Sequence, residues 1–109
     1  MPRITVRGLT VEQVCSLSES LIEQLAGICD CETDNFTLEC VSHTSVFAGK
    51  RCETYPFIEV AWFERGSAIR DLVAGSITGH VRALGIPEVE VAFTTYEKEA
   101  YYINGKPCG

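Results

Sequence analysis

Residues 57–95 decide the fold of this chain. They contain three segments: FIEVAWF at residues 57–63, SAIRDLVAGSITGHVRAL at 67–84 and EVEVAFTT at 88–95. The first segment is almost entirely apolar, which is typical of a strand in the middle of a sheet. The second spaces its apolar residues as a helix does, and Gly85 and Pro87 mark its end. The third alternates apolar and polar residues, which indicates a strand with two different faces. Together they predict a strand–helix–strand unit.

The first half of the chain follows the same plan. Residues 2–7 alternate, and a capping-box pattern at Thr10 opens an amphipathic helix that ends near Cys29. Residues 36–43 predict a second strand, and residues 44–56 predict a loop that includes a short extended piece. The repeated βαβ plan predicts right-handed crossovers between parallel strands, with both helices on one apolar face of the sheet.

Length and composition indicate one globular domain, residues 1–109, with pseudo-repeats at about 2–43 and 57–95 and a tail at 96–109. A net charge of −6 offers no basic face for nucleic acid and disfavours an anionic membrane. No apolar run approaches the roughly 20 residues of a membrane span. The N-terminus is charged where a signal peptide needs an apolar stretch. We therefore expect a cytoplasmic protein whose partner is a small molecule.

The six cysteines do not follow a metal-binding or disulfide pattern. They include one C-x-C, at Cys29 and Cys31, and no C-x-x-C, and the two histidines, His43 and His80, are not spaced as zinc ligands. Without a secretion signal, free thiols are the default state. We expect no metal and no cofactor, and we expect Cys29 and Cys31 to be the most exposed pair.

The sheet face opposite the helices has a mixed composition. It is predicted to carry Arg3, Thr5, Arg7, Glu39, His43, Glu59 and Glu90 together with Val41, Phe57, Ala61 and Ala92. A solvated face does not need these apolar residues, and a buried face does not tolerate unpaired carboxylates. The mixture favours a face turned toward other subunits, with Arg7 paired to Glu39 or Glu59. An ordinary exposed sheet face, as in ferredoxin-like domains, is the alternative.

Several residues together resemble the tautomerase superfamily, which includes macrophage migration inhibitory factor and oxalocrotonate tautomerase. They are Met1-Pro2, Arg7, Glu39, Tyr55-Pro56, residues 59–63, and Tyr101-Tyr102 followed by Gly105. More narrowly, the chain looks like an uncharacterised bacterial branch of that superfamily, a domain of unknown function. The resemblance implies an α+β fold in which two βαβ units form a four-stranded mixed sheet with two helices on one face. It also implies a homotrimer with the three sheets around a threefold axis.

The resemblance further implies a catalytic proline. In the superfamily, Pro2 becomes the first residue when Met1 is removed, and its secondary amine acts as a general base. An α-amino group titrates near pH 8, roughly, and an apolar pocket lowers that pKa by disfavouring the charged form. Pro2 would then move a proton on a small enol or keto acid, as a tautomerase or isomerase does. Without the resemblance, Pro2 is equally well explained as a structural proline at the first position of a strand.

The remaining candidates would bind the substrate. The resemblance places Arg65 near Pro2, where its guanidinium could hold a substrate carboxylate in a bidentate manner. Trp62 and Tyr102 are expected as aromatic walls, and Tyr101 or Tyr102 as a phenol donor.

Arg7 and Glu59 are further candidates for substrate binding, although each also fits a structural ion pair. Characterised relatives place a cation or a polar donor just before the second strand, whereas residues 34–36 here contain no cation. Two other interpretations therefore stay open. One is a non-catalytic trimeric binding protein on the same scaffold, and the other is a ferredoxin-like ligand-sensing module in which Pro2 is incidental.

Overall fold

The computed structural model of the chain describes residues 2–109. Its strands and helices are, in chain order, β1 (Arg3–Arg7), α1 (Val11–Cys29), β2 (Thr37–Val41), β3 (Ser45–Phe47), β4 (Lys50–Cys52), β5 (Phe57–Trp62), α2 (Ser67–Arg82), β6 (Glu90–Thr95), β7 (Tyr102–Ile103) and β8 (Lys106–Pro107). Four strands form one sheet in the order β2-β1-β5-β6. The outer pairs are parallel and the central pair, β1 with β5, is antiparallel. The predicted α+β fold with a mixed four-stranded sheet is confirmed.

Helix α1 begins at the capping box predicted from the sequence. The Thr10 hydroxyl accepts a hydrogen bond from the Gln13 backbone N–H at 3.1 Å, and the Gln13 side-chain oxygen accepts one from the Thr10 N–H at 2.9 Å. These two bonds satisfy backbone donors that a helix start otherwise leaves open. Among the described residues, no helix has the length and apolar character needed to cross a membrane.

The core lies between the two helices and one face of the sheet. The largest fully buried side chains include Ile4, Leu21, Leu25, Ile58, Val60, Trp62, Val73, Ile77 and Val81. They come from the even-numbered positions of β1 and β5 and from one stripe on each helix, because strands alternate faces and helices repeat every 3.6 residues. The predicted apolar face is therefore the covered one.

The other sheet face is covered by neither helix, and we call it the uncovered face. Its residues, read across the paired strands, are Thr37, Arg3, Ala61 and Thr94 in one row, Glu39, Thr5, Glu59 and Ala92 in the next, and Val41, Arg7, Phe57 and Glu90 in the third. The predicted mixture of charged and apolar side chains on this face is present.

Two short hairpins extend the chain beyond the sheet. Residues 44–56, predicted to be mainly a loop, contain the middle hairpin of β3 and β4, which turns at residues 48–49. The C-terminal hairpin of β7 and β8 turns at residues 104–105. Both turns have two successive residues with positive φ, as type I′ hairpin turns require. The sequence signal for the first turn is weaker, because alanine rarely adopts positive φ.

The two βαβ halves occupy equivalent places about an approximate twofold axis between β1 and β5. Pro2 precedes β1, and Pro56 precedes β5; both are buried. The Pro2 carbonyl accepts a hydrogen bond from the Thr37 N–H at the start of β2, at 3.1 Å. The Pro56 carbonyl accepts the corresponding bond from the Glu90 N–H at the start of β6, also at 3.1 Å. The two prolines therefore mark opposite ends of the same sheet.

Candidate functional site

Pro2 lies at the start of β1 and is less than 2 % exposed. The antiparallel register pairs Arg3 with Ala61, so one further step places Pro2 beside Trp62 at the end of β5. The Thr37 N–H holds the Pro2 carbonyl from the other side. Pro2 is thus fixed between the two neighbouring strands, at the end of the sheet where sequence reasoning expected a site.

Arg65 follows β5 and lies against the indole of Trp62. Its guanidinium carbon is 5.8 Å from the ring centroid, which is within the range of a cation–π contact. The Arg65 Nε and the Trp62 Nε1 are both buried, and neither finds a hydrogen-bond acceptor among the described residues. Buried donors without acceptors are uncommon, since each carries a desolvation cost. Two such donors on touching side chains fit an acceptor from a bound molecule, such as a carboxylate.

Cys29 belongs to the same end of the molecule. It closes the last turn of α1, and burial raises the pKa of its thiol above the ordinary value of 9.0, while the nearby Arg65 guanidinium acts in the opposite direction. The expectation that Cys29 is exposed is wrong: it is 8 % exposed, because the last turn of α1 packs on the core. All six cysteines are free. Residues 2–109 contain no group of three or more His, Cys, Asp or Glu side chains that could hold a metal ion.

An aromatic cluster follows the ends of β5 and β6. The ring centroid of Tyr101 lies 5.1 Å from that of Phe63 and 5.0 Å from that of Tyr96, and Phe63 and Tyr96 are 6.0 Å apart. The Tyr96 N–H donates to the Trp62 carbonyl at 2.7 Å, which ties the cluster to the end of the sheet that holds Pro2. Sequence reasoning missed Tyr96, although continuing the alternation of the last strand by one step would have placed it there.

Tyr102 lies in the C-terminal hairpin and is 62 % exposed. Its neighbour Tyr101 joins the aromatic cluster, so the two tyrosines have different surroundings. The Tyr101 carbonyl accepts a hydrogen bond from the Cys108 N–H at 2.9 Å, which folds the chain end back onto this region. Tyr101 is therefore the tyrosine that packs in the aromatic cluster, whereas Tyr102 is largely exposed.

Arg7 and Glu59 are not brought to Pro2. Arg7 lies opposite Phe57, at the other end of β1, roughly 16 Å along an extended strand. Glu59 lies in the middle of β5, opposite Thr5. Both side chains stand on the uncovered face, and a role for them in binding the same substrate as Pro2 stays a prediction.

On the uncovered face, one ion pair forms within the described chain, and it involves Arg3. Arg3, not Arg7, pairs with Glu39, with 3.0 Å between Nη2 and Oε1. In the parallel register Thr5 lies opposite Glu39, so Arg3 and Arg7 are both diagonal neighbours of Glu39, and the Arg3 side chain is the one that reaches it. Within one chain, Arg7 forms no ion pair with Glu39 or Glu59 among the described residues, so a pairing of Arg7 across a subunit contact stays a prediction.

The opposite end of the sheet, around Pro56, has a different shape. Gly8 stands opposite Pro56 as Trp62 stands opposite Pro2, so no indole fills this end. A cleft of about 530 Å³ lies there, with His43, Tyr55 and Glu88 in its wall. The carboxylate of Glu90 raises the pKa of the Tyr55 phenol. This end of the molecule has no arginine in its wall and is acidic.

Two βαβ units in one chain, a mixed sheet with both helices on one face and a proline opening the first strand define a tautomerase-like fold. The chain belongs to the DUF1904 family, described as a domain of unknown function, whose sequence model matches residues 1–107. It is similar to the crystal structure of a DUF1904 domain from Sebaldella termitidis ATCC 33386, with 36 % identity over 96 % of this chain and 97 % of that chain and a TM-score of 0.90.

Two more distant structures share the fold. The F6 fused 4-OT wild type, described as an asymmetric trimer, is 15 % identical over 97 % of this chain and 95 % of its own, with a TM-score of 0.82. A macrophage migration inhibitory factor-like protein from Entamoeba histolytica is 12 % identical over 97 % of each chain, with a TM-score of 0.74. No curated protein sequence matches the chain significantly. These structural neighbours show that the chain shares the fold of the fused 4-OT and the macrophage migration inhibitory factor-like protein.

Proposed function

We propose that this protein is a homotrimeric tautomerase that uses the amine of Pro2, once Met1 is removed, as a general base on a small enol or keto acid. One observation carries the proposal. At the end of the sheet where Pro2 lies, the Arg65 Nε and the Trp62 Nε1 are buried donors that find no acceptor in the described part of the chain. A substrate carboxylate supplies the acceptor that both donors lack, and Arg65 supplies the opposite charge.

The proposed reaction transfers one proton from oxygen to carbon and neither adds nor removes atoms or electrons. In the ketonising direction, the Pro2 nitrogen takes the proton from the enol hydroxyl, the carbonyl forms, and the protonated amine returns a proton to the neighbouring carbon. Buried surroundings disfavour the protonated amine, so they lower its pKa toward neutral pH. A base whose pKa lies near the working pH is the most effective for such a transfer. Arg65 stabilises the negative charge that develops on the substrate.

The trimer is supported by the fold and by one neighbour. The uncovered face carries half-buried apolar residues such as Val41 and Phe57 between its charges, which favours contact with protein rather than water. The F6 fused 4-OT structure, which shares this fold, is described as a trimer. In a trimer, the exposed Tyr102 of one copy is available to complete the site of another.

The proposal is tested by following the ketonisation of simple enol acids with untagged protein whose mass shows that Met1 is absent. Two variants remove the base in different ways. Pro2→Ala replaces the secondary amine, and a short N-terminal extension converts the Pro2 nitrogen to an amide without changing a side chain. We expect both to lose at least about 100-fold in kcat/KM, since general-base catalysis contributes that much. Exposed Pro87→Ala is the matched control and should keep full turnover.

A second candidate function is a trimeric binding protein on the same scaffold. The burial of Pro2 favours it, because a base that is less than 2 % exposed needs a movement of the chain before a substrate reaches it. This candidate predicts that a carboxylate ligand binds equally well to wild type and to the protein with the N-terminal extension. Turnover by the wild type that the extension abolishes would exclude it.

A further inference from the structure

The carboxylate of Glu64 is bonded to the segment that joins β5 to α2. Its Oε1 accepts hydrogen bonds from the backbone N–H groups of Arg65 and Gly66, both at 3.1 Å. Its Oε2 accepts a hydrogen bond from the Arg70 Nη1 at 2.7 Å, within an ion pair. Hydrogen bonds to an ionised acceptor are stronger than those between neutral groups. One side chain therefore fixes two consecutive residues of the segment that carries Arg65.

These bonds stand in for a cap that the start of α2 otherwise lacks. Gly66 occupies the N-cap position and makes no side-chain hydrogen bond to the helix. Its carbonyl accepts a helical hydrogen bond from the Arg70 N–H at 3.0 Å. The negative charge of Glu64 also lies near the positive end of the helix dipole, where it is stabilising. Arg70 is thus tied to the segment before α2 through both its backbone and its side chain.

The same arrangement keeps the Arg65 guanidinium apart from the carboxylate beside it in the chain. The Glu64 carboxylate is engaged by two backbone N–H groups and by Arg70. Among residues 2–109, the Arg65 guanidinium forms no ion pair. It lies instead over the Trp62 indole, with its Nε buried. Its positive charge therefore stays available for the carboxylate of a ligand.

We infer that Glu64 is a positioning residue for Arg65, and that Arg70 keeps it in this role. Glu64 holds the backbone from which the Arg65 side chain reaches Trp62, and Arg70 draws the Glu64 carboxylate away from the Arg65 guanidinium. Without Arg70, the Glu64 carboxylate would be free to pair with Arg65 and to compete with a substrate carboxylate. The inference rests on the proposed function, in which Arg65 binds that carboxylate, but the placement of Arg65 can be measured without a substrate.

The first test follows the Arg65 Nε–H by NMR in the ligand-free protein. This group is buried, so its proton should exchange with water more slowly than that of exposed Arg82 in the same spectrum. Glu64→Ala removes both backbone hydrogen bonds, and we expect the exchange rate at Arg65 to rise toward that of Arg82. Glu64→Gln keeps an oxygen that can accept the two bonds, so it should retain most of the protection. Asp71→Ala removes an exposed carboxylate from the same helix and is the matched control.

The second test compares the turnover of an enol acid with that of its ester. Glu64→Ala should lower kcat/KM for the acid about tenfold, because a displaced cation no longer holds the carboxylate, and should leave the ester unaffected. Arg70→Gln frees the Glu64 carboxylate to pair with Arg65, so it should also lower turnover of the acid. Adding Glu64→Gln to Arg70→Gln removes that competing carboxylate and should restore most of the loss. Exposed Arg82→Gln is the control for the loss of an arginine.

Three results would overturn the inference. Slow exchange at Arg65 in Glu64→Ala, with only the free energy of unfolding reduced, would show that Glu64 merely caps α2. Equal losses of turnover with acid and ester would show that Glu64 does not act through the carboxylate contact of Arg65. A double variant no better than Arg70→Gln alone would remove the role of Arg70. If the wild type turns over no enol acid, the proposed function fails, and the exchange rate at Arg65 in Glu64→Ala still decides between positioning and capping.

Discussion

The guanidinium of Arg65 lies over the indole ring of Trp62, and each side chain contributes a buried donor for which residues 2–109 offer no acceptor. The contact fixes a flexible arginine on a rigid aromatic surface at the end of β5. It also explains why Arg65 is half-buried although it stands just before a helix, where a solvated side chain would be the ordinary expectation.

Arg65→Gln should weaken turnover of enol acids but not of the corresponding esters. Loss of the cation removes the partner of the substrate carboxylate, so we expect kcat/KM for the acid to fall at least tenfold, about 1.4 kcal/mol. The ester has no carboxylate for Arg65 to bind, so its kcat/KM should change little. Exposed Arg82→Gln is the control. Equal losses with acid and ester would show that Arg65 supports the fold of the site rather than binding the carboxylate.

Cys29 should react slowly with iodoacetamide while the protein is folded. Its thiol is buried and its pKa is raised by that burial, so less thiolate is present and less of it is accessible. We expect labelling at pH 8 to be at least about tenfold slower at Cys29 than at exposed Cys15 of the same helix. Mass spectrometry of the labelled peptides measures both rates in one sample. Comparable labelling rates at Cys29 and Cys15 would show that the Cys29 thiol is not buried.

The raised pKa of Cys29 also has a consequence for stability. The folded state keeps the thiol proton at a pH where the unfolded chain loses it. The protonated Cys29 thiol therefore makes its full contribution to the free energy of unfolding below the ordinary pKa of 9.0. That contribution declines as the pH rises through the pKa that the thiol has in the folded state. Relative to Cys29→Ala, the wild type should lose free energy of unfolding as the pH rises above the ordinary thiol pKa of 9.0. Urea titrations at several pH values measure this, and parallel curves for the two proteins would refute it.

Gly8 and Gly85 have nearly the same φ angle but different surroundings, so alanine substitutions at the two positions can be compared. Their φ values are +89° and +88°, so alanine is strained at both. A Cβ at Gly85 meets nothing within 4 Å, whereas at Gly8 it would lie 2.8 Å from the Pro56 Cα. We expect Gly85→Ala to cost about 1 kcal/mol and Gly8→Ala clearly more. Thermal or urea unfolding measures the difference, and equal costs would show that the Gly8–Pro56 approach relaxes freely.

Ile77 should matter far more to stability than Leu72, although both are apolar residues of α2. Ile77 is 1 % exposed and packs in the core, so Ile77→Ala should cost about 2–5 kcal/mol through the cavity that it leaves. Leu72 points away from the core and is largely exposed, so Leu72→Ala should cost less than about 1 kcal/mol. Urea unfolding at fixed protein concentration measures both. A large cost at Leu72 would indicate that another molecule covers it.

The elements with a strong periodic pattern were predictable from the sequence. The capping box at Thr10 and the apolar stripes of the helices correspond directly to the structure, because local hydrogen bonding and burial both favour them. The middle hairpin was only partly foreseen, since the positive φ of Ala48 is set by the turn as a whole and not by the propensity of alanine.

Side-chain partners were less predictable than elements. The choice between Arg3 and Arg7 as the partner of Glu39 depends on side-chain conformation, because both arginines are diagonal neighbours of Glu39 in the paired strands, and a single sequence does not specify it. The burial of Cys29 depends on how far α1 continues over the core, and Tyr96 gains its place by continuing the parallel pairing of β6 with β5 by one residue. Pro2, Trp62 and Arg65 were placed by resemblance to a family, and the structure describes their contacts without showing a substrate.

Pro2 and Pro56 occupy equivalent positions in the sheet, and a circular permutant of the chain would make use of this equivalence. The two prolines differ chiefly in that an internal peptide bond consumes the nitrogen of Pro56. A circular permutant that joins the present termini by a linker and opens the chain before Pro56 would exchange their chemical states. The secondary amine would then lie beside Gly8 and the acidic cleft rather than beside Trp62 and Arg65. One sheet thus holds two prolines in equivalent positions, and the place at which the chain is opened decides which of them can carry a free amine.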